Sequence, residues 1–135
     1  MVSKIFVNLP VKDLDKSMTF FKAVGFSFNP QFTDKTAACM VMSDDIYAML
    51  LTHDKVKEFT RKPIADAHKT LEVLTAVAVE SKAKVNELAD KAIKAGGKEA
   101  YTPKDYGFML TRSFEDPDGH IWEVFWMDPA QVQAG

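Results

Sequence analysis

Asp116-Pro117-Asp118-Gly119-His120-Ile121-Trp122-Glu123 reads as a tight turn running into a strand, and the register it sets organises the chain around it. Pro117 presets φ and Gly119 supplies a positive φ. The four turn residues therefore suit a type I turn closed by a left-handed glycine, the hairpin loop that carries a bulge. The strands it joins are expected near Phe108 to Phe114 and His120 to Met127. With Pro117, Asp118 and Gly119 as the loop, Asp116 opposes His120 and Ser113 opposes Glu123. Met109 and Thr111 then share a face with Glu123, and Arg112 points to the other side. A plain two-residue turn would slide the register and set Arg112 opposite Glu123, where an ordinary ion pair would account for the carboxylate. The bulged form is preferred because it places Phe114 beside Trp122 in the core.

Upstream, Leu71 to Val79 (LEVLTAVAV) is a strand of near-continuous apolar character. Ser81 caps a helix whose stripe is Val85, Leu88, Ala89, Ala92 and Ile93. Gly96-Gly97 ends it after Lys91 and Lys94, cations suited to a helix C-terminus. A further strand is expected near Lys98 to Thr102. In the loop that follows, Tyr101 and Tyr106 flank Pro103-Lys104-Asp105; aromatics there either cover a flat ligand or pack the loop down.

The first half repeats this order. Lys4 to Val11 reads as a strand, Asp13 as an N-cap, and Leu14, Met18, Phe21 and Val24 as a helical stripe stopped by Gly25. Strands are expected at Phe26 to Thr33, Thr36 to Met42 and Ile46 to Thr52, separated by turn-forming stretches. Asp54 to Lys69, broken by Pro63, reads as a connector with one helical turn. Val11 and Val79 are offset by 68 residues, and Gly25 and Gly97 by 72. A repeat of a unit too small to bury its own sheet face implies that the halves pack together. One α+β sheet with two helices and no true repeat is the alternative.

Composition narrows the function classes. A net charge of −2 over 135 residues offers no strong field to nucleic acid or anionic lipid. No apolar run reaches bilayer length, and MVSKIFVNLPVKD lacks the pattern of a signal peptide, so cytoplasmic residence is expected. Cys39 is the only cysteine, which excludes an internal disulfide and a thiolate zinc cluster.

The opening NLPVKDLDKSMTFFKAVGF (8–26) and the closing RSFEDPDGHIWEVFW (112–126) resemble the two ends of vicinal oxygen chelate proteins. That superfamily includes glyoxalase-type lyases, bleomycin-resistance proteins and extradiol dioxygenases. With the Gly-Gly after the second helix, the likeness spans essentially the whole chain. It implies an α+β fold in which two βαβββ modules form a cupped mixed sheet with helices outside. A single domain over 1–135 is expected: module one 1–53, connector 54–70, module two 71–128 and a C-terminal tail 129–135.

Metal-dependent members of the superfamily place one ligand on the first and last strand of each module. Carried over position by position, the last-strand carboxylate falls on Glu123 and the first-strand ligand on Phe6. The fourth-strand ligand falls on Leu50, with Met49 one residue away, and the fifth-strand ligand on Leu74. One carboxylate among hydrocarbon cannot hold a catalytic divalent ion, so no metal and no other cofactor is expected. His53, His68 and His120 are out of phase with these positions and read as surface or turn residues.

Strand parity completes the expected lining. Phe6 and Asn8 share a face, as do Ala48, Leu50 and Thr52, then Leu74 and Ala76, then Ile121, Glu123 and Phe125, with Thr111 and Ser113 beside Glu123. Ile5, Val7, Leu9, Trp122, Val124 and Trp126 fall under the helices, and Glu72, on the same strand face as Leu74, reads as a solvated strand-end carboxylate, with the cavity rim as the alternative. Glu123 has two readings: a carboxylate that bonds a ligand or moves a proton, or a structural acid bonded to Ser113, Thr111 or Asn8. The resemblance and the lost donors together imply metal-free binding of a small, partly apolar molecule, of the bleomycin-resistance type, in a homodimer. A glyoxalase-like lyase or isomerase using Glu123 as acid or base is the alternative.

Overall fold

The computed structural model describes residues 1–131; of the expected tail, Pro129–Gln131 form a 3-10 turn and 132–135 lie outside the described residues. The fold is α+β, with two compact units divided between Asp66 and Ala67, each carrying a four-stranded mixed sheet.

In the first unit, β1 (Ile5–Val11), α1 (Leu14–Val24), β2 (Ser27–Asn29), β3 (Ala37–Val41) and β4 (Ile46–Thr52) give the sheet order β1-β4-β3-β2. β1 runs parallel to β4, and the other pairs are antiparallel. Asp13 caps α1 by accepting from the Lys16 N–H at 3.1 Å, and Gly25 ends it with φ of 121°. Leu14, Ser17, Phe20, Phe21 and Val24 are the buried residues of α1, so Ser17 and not Met18 continues the stripe. The strand expected from Phe26 to Thr33 stops at Asn29. There the Asn29 side chain accepts from the Gln31 N–H, and Pro30 opens a 3-10 turn. α2 (His53–Val56) is the single turn of helix expected in the connector.

The β1–β4 register corrects one expectation. Phe6 aligns with Tyr47 and Asn8 with Met49, whereas Leu9 aligns with Leu50 and Val11 with Thr52. Leu50 and Thr52 therefore lie on the opposite side of the sheet from Phe6 and Asn8. Ala48 and Leu50 pair with Met40 and Ala38, and none of the four exposes any surface. This is the core beneath α1, which packs on β2, β3 and β4. Ile5, expected under the helices, is 55% exposed at the start of its strand.

In the second unit, β5 (Leu74–Ala78), α3 (Lys82–Lys94), β6 (Lys104–Asp105), β7 (Met109–Glu115) and β8 (Ile121–Met127) give the order β5-β8-β7-β6. β5 is parallel to β8. Ser81 caps α3 through the Lys84 N–H, and Val85, Leu88, Ala89 and Ala92 are buried against β7 and β8. Ile93, expected in that stripe, is exposed. The apolar run from Leu71 pairs only from Leu74 onward, and Leu71 and Val73 are exposed.

The strand expected near Lys98 to Thr102 is not formed. Lys98 makes one bridge to Glu115, after which the Tyr101 N–H donates to the Ser113 hydroxyl oxygen at 3.0 Å in place of a ladder carbonyl. Pro103 has no N–H to offer, and pairing resumes at Lys104–Asp105, which aligns with Thr111 and Leu110. The β7–β8 hairpin has the bulged register: Ser113 opposes Glu123, Phe114 opposes Trp122, and Arg112 opposes Val124. The Phe114 and Trp122 rings stack in the core at 6.5 Å with 8° between their planes. Among the described residues, no helix is long and apolar enough to cross a membrane.

Candidate functional site

The turn that positions Glu123 is built around Asp116. Its backbone exchanges bonds with the turn: the Asp116 N–H donates to the His120 carbonyl, and the Gly119 N–H donates to the Asp116 carbonyl, both at 3.0 Å. Its Oδ1 accepts from the N–H groups of Asp118 at 2.9 Å and His120 at 3.0 Å, and its Oδ2 accepts from the Trp122 indole at 3.1 Å. Burial holds the Asp116 carboxyl above its ordinary value, outweighing the opposing pull of His120 and of the indole and backbone donors. Gly119 has φ of 86°, and a Cβ there would lie 2.7 Å from both the backbone N and Nδ1 of His68 and 2.9 Å from the Ala67 carbonyl carbon. Only glycine meets both conditions.

Downstream of this turn, β8 alternates cleanly. Trp122 and Val124 are 1% exposed on the α3 side. Ile121, Glu123 and Phe125 lie on the open face, in register with Leu74, Ala76 and Ala78 of β5. On the same face β7 contributes Met109, Thr111, Ser113 and Glu115. Arg112 lies on the α3 side, where its guanidinium bonds Asp90 at 2.7 Å, Asn86 at 3.2 Å and Glu99 at 3.0 Å. It does not reach toward Glu123.

The hydroxyls beside Glu123 are engaged with Tyr101. Ser113, 1% exposed, accepts from the Tyr101 N–H, and the Tyr101 phenol lies 3.0 Å from the Thr111 hydroxyl. Burial raises the Tyr101 pKa, and the charge and hydrogen bonding of Glu123 raise it further, against the lowering effect of Thr111. The phenol therefore sits within direct electrostatic reach of the carboxylate and keeps its proton through neutral pH. The sequence reads Tyr101 as a loop aromatic that either covers a flat ligand or packs the loop down; the structure ties its backbone to Ser113 and its phenol to Thr111. Lys104, in register with Thr111, places its ammonium 5.6 Å from the Tyr101 ring centroid.

The open face of the first unit has a different character. Phe6 stacks on Tyr47 at 4.6 Å with 9° between the planes, and the Asn8 amide donates to the Phe6 carbonyl at 3.3 Å. Met49 stands beside Asn8. Leu50 and Thr52 point to the other side; the Thr52 hydroxyl caps α2 through the Lys55 N–H.

Carried over from the resemblance, the metal-ligand positions fall on Phe6, Leu50 or its neighbour Met49, Leu74 and Glu123. A phenyl ring, a thioether or isobutyl group and a second isobutyl group do not fit a catalytic divalent cation, which takes imidazole and carboxylate donors. Asp116, Asp118 and His120 bring three potential ligand atoms within 4.8 Å of one another. Both Asp116 oxygens, however, are already occupied in closing the turn. His53 opens α2, and His68 lies against Gly119; both are exposed, and neither is on an open sheet face. Glu72 precedes β5 and is exposed.

A model of the Glyoxalase/Bleomycin resistance protein/Dioxygenase superfamily matches residues 5–124. Among solved structures, a hypothetical protein of S. aureus is 26% identical, with a TM-score of 0.77 over 93% of this chain and 95% of that one. A glyoxalase/bleomycin resistance protein/dioxygenase family enzyme from Burkholderia phytofirmans is 16% identical, with a TM-score of 0.73 over 90% of this chain and 96% of that one. A fosfomycin resistance protein from Mesorhizobium loti is 14% identical, with a TM-score of 0.71 over 97% of this chain and 98% of that one. None of the proteins of curated function matches the sequence significantly.

Proposed function

Because the chain belongs to the Glyoxalase/Bleomycin resistance protein/Dioxygenase superfamily, we propose that it binds a small molecule of partly apolar character without a divalent metal, in the manner of a bleomycin-resistance protein. One observation carries this reading: the positions matching the superfamily's ligands are hydrocarbon or thioether, with Glu123 the one surviving acid. On the open face of module two, the ligand contacts are Leu74, Thr111 and Glu123, with Ser113 holding the neighbouring Tyr101 in place. Phe6 and Asn8 are the corresponding contacts on the open face of module one, with Met49 in place of Leu50. Metal analysis of protein purified without chelator tests the reading. The expected result is metal far below one equivalent, and stoichiometric nickel, zinc, iron or manganese would overturn it.

A second reading draws on Tyr101. A phenol that keeps its proton beside a carboxylate is a pair able to give and take protons, as a glyoxalase-like lyase or isomerase using Glu123 as acid or base requires. Turnover that disappears in Glu123→Gln while ligand binding persists would favour it.

A homodimer, resident in the cytoplasm and partnered only by its ligand, completes the proposal. Ile5 and Phe6 on edge strand β1, and Leu74 on edge strand β5, remain 55%, 48% and 48% exposed. Apolar surface on unpaired edges is what a second copy would cover. Light scattering that returned the mass of one chain would argue against the dimer.

A further inference from the structure

We infer that Tyr101 and Thr111 form, with Glu123, a polar site that selects ligands carrying a hydrogen-bond donor (a hydroxyl, amide N–H or ammonium group) on an apolar body. The inference rests on the small-molecule reading above and names the ligand class.

The geometry leaves little choice of polarity. Ser113, directly opposite Glu123, is withdrawn from ligand contact, because its hydroxyl accepts the Tyr101 N–H at 3.0 Å and reaches the Tyr101 carbonyl at 3.5 Å. The phenol is tied to Thr111 two residues earlier on the same strand. Two attachments on alternate residues of β7 fix the ring over this face. Phenol and threonine hydroxyl carry one proton each, and one of these satisfies the bond between them. The other is free to point at the carboxylate, the acceptor within electrostatic reach.

Among the described residues, no ion pair joins a cation to that acceptor; those of this unit join Lys82 to Asp105, Lys84 and Lys91 to Glu87, and Arg112 to Asp90 and Glu99. Arg112 is on the far side of the sheet, and Lys104 lies over the Tyr101 ring. An ionised carboxylate accepts only, so a ligand carboxylate or phosphate meets like charge, while a donor meets lone pairs. Leu74, Ala76, Ile121 and Phe125 surround the group with apolar surface. The ligand's remainder must match that surface.

Two probes with one carbon skeleton separate the cases: 4-phenylbutylamine and 4-phenylbutyrate, titrated into 15N-labelled protein at neutral pH. The amine is expected to shift the amides of Tyr101, Thr111, Ser113 and Glu123 and to bind about tenfold or more tighter than the carboxylate, the range of a charge-assisted hydrogen bond. Glu123→Gln should remove that preference. Tyr101→Phe and Thr111→Val, which keep ring and branch, should each weaken the amine by roughly threefold. Equal or tighter binding of the carboxylate at the same amides would overturn the inference. So would an unchanged preference in Glu123→Gln, or no shift at these amides from either probe. Metal content is a separate measurement on the same preparation, so failure of the metal-free reading is seen independently of failure here.

Discussion

The two modules share a strand order but close their last hairpins by different means. In module one, β3 and β4 are joined through Ser43, Asp44 and Asp45, all exposed, with the Met42 and Ser43 N–H groups donating to the Ile46 carbonyl at 3.0 and 3.3 Å. Water can replace any partner there. In module two, a single buried carboxylate gathers two backbone donors and an indole. The open faces differ in the same sense. Module one offers the Phe6–Tyr47 stack, and module two offers Tyr101, Thr111 and Glu123. One backbone plan thus serves both as a solvent-held loop beside an aromatic surface and as a rigid turn beside a polar one. Polar precision is concentrated where the register must hold Glu123 in place.

Removing the hub breaks this contrast most sharply. Asp116→Ala removes the carboxylate that accepts from two part-buried backbone N–H groups and a buried indole, and is expected to destabilise the protein by about 3 kcal/mol in urea denaturation. Asp44→Ala, in the matching hairpin of module one, should leave the unfolding midpoint where it is. Equal effects would show that Asp116 is no more than a turn residue. Gly119→Ala should cost about 2 kcal/mol, combining a disfavoured φ with a clash against His68 and Ala67. Gly96→Ala isolates the first part: φ is 107° and nothing lies within 4 Å of the added carbon, so about 1 kcal/mol is expected. The smallest effect is spectroscopic. Glu123→Gln removes the charge that raises the Tyr101 pKa while keeping an oxygen acceptor, so the phenol should titrate at lower pH than in the parent. Burial should still keep it above an ordinary tyrosine. A 13Cζ titration that did not move would separate Tyr101 from Glu123.

What the sequence made legible follows the same division. Around Glu123 the register could be read because a turn of known chemistry fixes it: Gly119 takes a positive φ, the bulge follows, and Ser113 arrives opposite Glu123. Between β1 and β4 no turn sets the register. The strands are parallel, a helix and two strands intervene, and Ile46 to Leu51 is apolar on nearly every residue, so alternation gave no phase. Leu50 was accordingly expected on the face that Met49 occupies. The role of Tyr101 was hidden for another reason. It depends on a side-chain acceptor, Ser113, taking a backbone N–H that strand propensity would have paired with a carbonyl. Pro103, two residues on, was the available sign that pairing could not continue through this stretch.

The missing side chain of Gly119 has one more consequence. Its bare Cα lets the peptide between Ala67 and His68 settle against the turn, pinning the chain shortly before β5 begins. The five residues from Lys69 to Val73 must then bridge two fixed points, and an insertion among them would have to loop outward. Length should therefore be held most tightly between Lys69 and Val73.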